Sequence, residues 1–545
     1  MFKKKTGSVA LLLALSASLV SACSNNDNNA GSSTSPSDSA TDASSSASAS
    51  PQGYNGVDNL KITDAPTTIK LFYPFGANGA PKGDMPIWKK AAEITNVQME
   101  NVANESIADD IQSFNTMMAS GELPDIIQSL RTTINSIITQ GALIPLDDLI
   151  EQHAPNIKKF LEDYPDARRA GSGPDGKLYT LTGTLGGEPG QLLPKMGFFI
   201  RKDWLEKLGL KEPTTLEAYK NVLYAFRNDD PNGNGKKDEI PYLYRDRGIW
   251  PLLQLWGAHE DWYIGADDKV HYGKGEPEYA TALKELSQWY KDGIIDPEIF
   301  TRGSQARQFL LGNNIGGATI DWFASTSAVN DAVKEQVPGI NFAAIAPPAD
   351  INGIVKMQQS RELLHGYAWG ISKDAKDPVQ TIEFMDFFFS DTGFLLSNYG
   401  IEGVDYDLVD GKPVIRDIAL NNPTGFPNYL RSIGGYEIGH RGDLMGELSS
   451  MNEIGKTGFN LYLNSDWLQK PFPVMTFTDE EKKLIDDAAV NLTPLVDEYE
   501  QKSLMGAQDA DGTWHKHMDD MNKQGLQKAI DAYNSAYERY KADGQ

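Results

Sequence analysis

Phe114-Asn115-Thr116-Met117-Met118-Ala119-Ser120-Gly121-Glu122-Leu123-Pro124-Asp125-Ile126-Ile127 holds a helix, a stop and a strand within fourteen residues. Just upstream and through it, Ile107, Ile111, Phe114 and Met118 recur at steps of four, three and four, which lines them along one helix face. Gly121 suits the left-handed backbone on which helices end. Pro124 does not continue a helix, and residues 124–128 read as a short strand. A helix feeding a strand is the unit from which α/β layers are built.

The same alternation runs outward. Residues 68–73 are a β-branched and aromatic run closed by Pro74, which predicts a strand. Residues 196–201 predict another, followed by a helix over 202–208 that Gly209 ends. The spacing predicts a helix over 215–227, with Thr214 or Thr215 as its N-cap. Residues 317–321 read as a buried strand. Residues 279–290, 305–311, 379–389 and 526–540 read as helices. No internal repeat is visible.

The chain has 545 residues, with 50 Lys and Arg against 75 Asp and Glu, a net charge of −25 and one cysteine. Single cores stop growing at roughly 250–300 residues, so two or more domains are expected. The acid excess argues against a nucleic-acid binder, which needs a basic face. One cysteine excludes an internal disulfide and a Cys-rich zinc site.

That cysteine has a specific setting. Lys3, Lys4 and Lys5 precede an apolar run over 9–20, followed by Val20-Ser21-Ala22-Cys23. Residues 1–22 therefore read as a signal peptide, too short for a spanning helix. Residues 23–57 are rich in Ser, Ala, Asn, Asp and Pro and poor in large apolar groups, so they read as a tether.

A small residue before Cys23, with an aliphatic three positions ahead of the cysteine, resembles the lipobox of bacterial lipoproteins. The resemblance implies that Cys23 becomes the lipid-bearing N-terminus, against the alternative of ordinary secretion. Further stretches add to it. They are residues 114–127, Asp175-Gly176-Lys177-Leu178-Tyr179, residues 199–210 with Pro213-Thr214-Thr215, residues 292–298, residues 399–406 and the tail 525–540. In this order the chain resembles the sugar-binding extracellular solute-binding lipoproteins of bacterial ABC importers. The fold this implies is α/β, the two-lobed type 2 periplasmic-binding-protein fold with a ligand cleft between the lobes and a hinge. Crossings near 183 and 366 would give lobe one as 66–183 plus 367–425, and lobe two as 184–366 plus 426–545. The implied partners are an oligosaccharide, the permease subunits of an ABC transporter and the membrane through the lipid. The implied place is extracytoplasmic, and a monomer is expected.

The segment over 230–239 carries the sharpest chemical motif. Oxygen side chains recur at Asp230, Asn232, Asn234 and Asp238, and Gly235 stands sixth, where an EF-hand loop turns sharply. Lys236 would contribute its main-chain carbonyl. Position twelve is Pro241 rather than Glu, so Glu239 is the candidate for the carboxylate that closes the shell. The loop resembles the calcium loop of alginate-oligosaccharide-binding relatives, which implies structural calcium. An ordinary Asn-Gly turn is the other reading.

Sugars need aromatic rings for their C–H faces and planar polar groups for their hydroxyls. Of ten Trp, Trp322 follows the 317–321 strand where maltose-type relatives present a stacking ring. Trp250, Trp256 and Trp369 are further candidates, and Trp204 and Trp289 read as core. Arg201, Asp321, Arg361 and Glu402 are candidate hydroxyl partners. No catalytic residues are assigned. The seven His form no H-E-x-x-H, and neither a G-x-S-x-G elbow nor a Walker A loop is present. A non-enzymatic binder is expected, with a cell-surface polysaccharide-active enzyme or lectin as the alternative.

Overall fold

In the computed structural model these signals sort into two β sheets joined by crossings of the chain. The structure describes residues 53–74, 81–107, 109–422, 425–435 and 441–542. The expected signal peptide, Cys23 and most of the expected tether lie outside the described residues. The strands begin with β1 (Thr67–Phe72), β2 (Val97–Asn101), β3 (Ile126–Leu130), β4 (Leu181–Thr184), β5 (Met196–Arg201) and β6 (Ile240–Tyr242). They continue with β7 (Trp262–Ile264), β8 (Val270–Tyr272), β9 (Gly316–Trp322), β10 (Phe342–Ile345) and β11 (Leu364–Ile371).

The opening stretch folds as read. A helix over Asp110–Ser120 starts at Asp109, whose carboxylate accepts from the Gln112 amide, and ends at Gly121 with φ 74°. β3 follows, and its Ile126 and Ile127 are fully buried. The first sheet has the order β2-β1-β3-β11-β4. β1 runs parallel to β2 and β3, and β11 runs antiparallel to β3 and β4. The second sheet has the order β10-β5-β9-β6. β5 is antiparallel to β10 and β9, and β6 is parallel to β9.

Each sheet has its own core. Leu71, Trp88, Ile126, Phe160, Trp369 and Phe388 belong to the first, and Phe198, Trp204, Leu283, Trp289, Ile320 and Phe342 to the second. Trp204 and Trp289 are thus core residues. A hairpin of β7 and β8 packs under the C-terminal helices Asp479–Leu504, Ala510–Lys523 and Leu526–Ala542, with Leu492, Val496, Met521 and Leu526 buried between them. Among the described residues no helix is long and apolar enough to cross a membrane.

Two boundaries differ from the sequence reading. The tether expected to reach residue 57 ends earlier, because the chain is already docked at Tyr54. Its hydroxyl donates to Asp386 Oδ2 at 2.7 Å, and Asn156 donates to the same oxygen at 2.7 Å and to the Gly56 carbonyl at 3.0 Å. The second part of lobe two was drawn from 426, but Phe426 and Leu430 of the helix Phe426–Ser432 are buried in the first core with Ile87. Leu444 and Leu448 are the next side chains to pack against the second core. Tertiary contacts set both boundaries, the Tyr54 hydroxyl on Asp386 at the first and the buried Phe426 and Leu430 at the second, and their partners lie far away in sequence.

Candidate ligand cleft and calcium loop

Strand register places all the crossings at one end of each sheet. β11 starts beside the end of β3, with Tyr367 opposite Leu130, and β4 ends at Thr184, where the chain leaves for β5. In the second sheet β5 starts at Met196, opposite Trp322 at the end of β9. β6, parallel to β9, ends on the same side. The carboxyl ends of the parallel strands and the crossings therefore coincide in both sheets, the position at which open α/β sheets bind ligands.

The crossings are tied to one another. Leu185 donates its amide to Leu363, and Arg361 donates its amide to Leu193, at 2.9 and 2.8 Å. The Arg361 guanidinium reaches the Leu185 carbonyl at 3.3 Å and Glu447 at 2.8 Å. Gly442 donates to Thr184 at 2.8 Å. Arg361 is corrected from a hydroxyl partner to a hinge tie, because its guanidinium serves this joint.

At the second sheet's crossing end stands Trp322, half-buried, at the head of the helix Phe323–Val333. Lys195 Nζ lies 5.8 Å from its ring centre and Arg245 Cζ 5.9 Å. Asp321, fully buried, pairs with Arg245 Nε at 3.0 Å and Arg307 Nη1 at 3.3 Å, and accepts from the Trp322 amide at 2.7 Å. Burial pushes the Asp321 carboxyl up, and the two arginines oppose that rise. Asp321 is corrected too, from a hydroxyl partner to the group that holds Arg245 and Arg307 in place. Trp250, half-buried, meets Tyr244 edge to face at 5.6 Å. On the first sheet's side, Tyr73 follows β1 and its ring lies 6.4 Å from that of Tyr367. Arg131 follows β3, lies 3.8 Å from Glu362 and has a buried Nη1 without a hydrogen-bond partner.

Three further candidates are placed in the interior. Trp256 packs edge to face on Trp289 at 5.5 Å in the second core. Trp369 lies in the first core beside Phe388 and Phe389. Arg201 pairs with Asp203 at 2.6 Å and Asn314 at 2.8 Å and lies over the Trp204 ring. These three are corrected to packing roles, because burial leaves them no face for a ligand. Glu402 is exposed near Tyr406, on the first lobe. Lys195, Arg245 and Arg307 were missed. Only Lys195 carries a positional signal, since it immediately precedes a predicted strand.

A polar cavity of about 170 Å³ adjoins the second crossing, lined among others by Gln254, His259, Asp350, Lys356 and Gln358. His259 stacks on Tyr263 at 3.7 Å, and burial holds its pKa down at about 4, so it is a neutral ring there.

The 230–239 loop joins the helix Leu216–Asn228 to β6. Asp230 accepts from the amides of Asn234 and Gly235, both at 3.0 Å. Asp238 accepts from the side-chain amides of Asn232 and Asn234 at 3.1 Å. Arg227 donates to the main-chain oxygens of Lys237 and Glu239 at 3.1 and 2.7 Å. Glu239 is fully buried, and neither of its carboxylate oxygens has a hydrogen-bond partner. Burial pushes its carboxyl up, and nearby Asp238 and Asp230 push the same way. Among the described residues no three His, Cys, Asp or Glu side chains form a ready metal cluster. A cation here would therefore also draw on the Asn amide oxygens and the Lys236 carbonyl. The unpartnered Glu239 carboxylate inside an oxygen-rich loop fits a hard cation of the calcium type.

Two α/β sheets, each with the chain crossings at the carboxyl ends of its parallel strands, define the architecture of a two-lobed solute binder. Residues 66–393 match the model of the bacterial extracellular solute-binding proteins, and the chain belongs to that family. Its fold is the type 2 periplasmic-binding-protein fold. The crystal structure of the alginate-binding protein AlgQ2 without calcium ion superimposes with a TM-score of 0.77 at 33% identity, covering 88% of this chain and 99% of that one. The fructooligosaccharide ABC transporter substrate-binding protein FusA of Streptococcus pneumoniae is 31% identical over 207 residues, 35% of this chain and 38% of that protein's length. Lipoprotein LipO of Bacillus subtilis is 24% identical over 378 residues, 65% of this chain and 70% of LipO.

Proposed function

We propose that this protein captures an oligosaccharide outside the cytoplasmic membrane and delivers it to the permease of an ABC transporter. The observation that carries the reading is Trp322. It is a half-buried ring at the carboxyl end of a strand, ringed by polar groups, beside the crossings that join two lobes. A sugar's C–H face packs on such a ring while its hydroxyls meet the polar groups around it. Ligand bridging both lobes favours the closed arrangement, and the crossings tied by Arg361 are where the bend falls. Trp250 and the exposed Glu402 remain candidate contacts on the two lobes.

The protein performs no covalent chemistry on the sugar and acts as a monomer. Calcium is held by Asp230, Asn232, Asn234, the Lys236 carbonyl, Asp238 and Glu239, with a structural role. When bound, it supplies positive charge against the Glu239 carboxylate, neither oxygen of which has a hydrogen-bond partner. Cys23 carries the lipid that fastens the chain to the membrane. Similarity to AlgQ2, FusA and LipO supports these readings of ligand, calcium and anchor.

The test is calorimetry with purified oligosaccharides, with chromatography of the same mixtures. Stoichiometric binding without new products is expected. Accumulating cleavage products would replace this reading with that of a surface polysaccharide-active enzyme. A Cys23→Ser variant should leave the membrane fraction and appear in the medium, and retention on the membrane would remove the lipid assignment.

A further inference from the structure

We propose that the polar cavity beside the second crossing is a second carbohydrate site, which holds one neutral sugar ring outside the cleft. Leu255 of the second core is part of its wall, and neither Trp322, Lys195 nor Arg245 lines it. Its volume of about 170 Å³ exceeds the roughly 150 Å³ that takes up one benzene ring in an engineered cavity. Asn352 and Lys356 are exposed, so its mouth opens to solvent.

The frame of the cavity is hydrogen-bonded within the chain. Asp350 Oδ1 accepts from the amides of Asn352 and Ile354, both at 2.8 Å, and the Ile351 amide donates to the Leu255 carbonyl at 2.9 Å. Gly257, at φ 72°, leaves the room: a Cβ there would lie 3.2 Å from Asn352 Nδ2 and 3.8 Å from Asp350 Oδ2. These two polar atoms therefore converge on the space that glycine leaves free. Neither has a hydrogen-bond partner among the described residues, and the same holds for the side chains of His259, Lys356, Gln358 and Gln469.

The chemistry of these groups selects the ligand class. One Asp and one Lys balance in charge, and the other four groups are neutral, with burial keeping His259 uncharged. Carboxamides and a neutral imidazole each donate and accept, as a sugar hydroxyl does. Leu255, Pro348 and Ile354 supply apolar surface for ring C–H groups. An anion or a cation would meet one partner and one like charge here. A wall without net charge that offers both kinds of hydrogen-bonding group fits a neutral polyhydroxyl ring.

The probes are glucose, galactose, mannose and fructose at millimolar concentration, read by saturation-transfer NMR, with glycine and alanine as zwitterionic controls. At least one sugar should give a signal that survives Trp322→Ala, which weakens the cleft. That signal should fall about threefold or more in Gln358→Ala, the loss of one hydrogen bond. It should vanish in Gly257→Asn, because asparagine tolerates the left-handed backbone and its side chain fills the cavity. Both cavity variants should keep the melting temperature and the oligosaccharide affinity of the cleft. A signal lost in Trp322→Ala and kept in the cavity variants places the sugar in the cleft; it overturns the proposal and leaves oligosaccharide capture intact. No sugar signal, or a signal from the amino acids alone, overturns it too. If oligosaccharides fail to bind while the cavity signal persists, the reading of the cleft falls and this one stands.

Discussion

Asp321 and Glu239 are both fully buried carboxylates beside the second sheet, and burial pushes both up. Their surroundings differ. Asp321 has Arg245 on one oxygen and Arg307 on the other, so its counter-charges are written into the chain. Glu239 has neither oxygen hydrogen-bonded, and its acidic neighbours Asp230 and Asp238 add to the cost. Arg227 bonds main-chain carbonyls rather than this carboxylate, and its charge only partly opposes the rise. A buried charge persists only when something compensates it. Asp321 has its counter-charges within the chain, whereas Glu239 is the carboxylate that the proposed calcium would compensate.

The contrast breaks most visibly at Asp321. Asp321→Asn leaves Arg245 and Arg307 facing each other and should cost about 3 kcal/mol of stability, read by denaturant unfolding. A loss near zero would mean that the two arginines are compensated elsewhere. Calcium removal should act next, and only at the other site. At a calcium concentration about 100-fold above Kd, binding adds roughly 2.7 kcal/mol, so a chelator should lower the melting temperature clearly. Glu239→Gln should blunt that response and lessen the cost of the empty loop. A chelator without effect on the native protein would end the calcium reading. The smallest effect is expected at the surface that Asp321 supports. Trp322→Ala should weaken oligosaccharide binding by about tenfold while leaving the melting curve in place. An unchanged affinity would mean that the ring is packing only.

The fold was readable where local signals and tertiary packing agree. The helix Asp110–Ser120, Gly121 and β3 follow from spacing and a stop. β5 occupies the residues read for it, and Thr215 caps its helix by accepting from Ala218. The helix Asp479–Leu504 went unread although Thr478 and Glu481 form a capping box that the sequence displays. Its interior Pro494 and its many charges hid the rest. The site was harder. Trp256, Trp322 and Trp369 are one residue type near predicted turns, and only the third dimension decides that two are core and one stays half-buried at the end of its strand. Arg201 could have been doubted locally, because Asp203 and Trp204 lie within three residues of it. No local signal joins Lys195, Arg245 and Arg307, which meet because strand register brings three distant segments to one sheet end.

The docking of Tyr54 on Asp386 has a mechanical consequence. From Tyr54 onward the chain is fastened to the first core, through Asn156, Gly56 and the packing of Leu60 and Ile62. Whatever restrains the amino terminus therefore restrains that half directly, and the other half only through the linked segments around Arg361. With the amino terminus anchored as proposed, the first half would be the mounted side and the second the swinging side, like a door hung on its frame. A pull along the leading segment loads the mounted side and leaves the swing free.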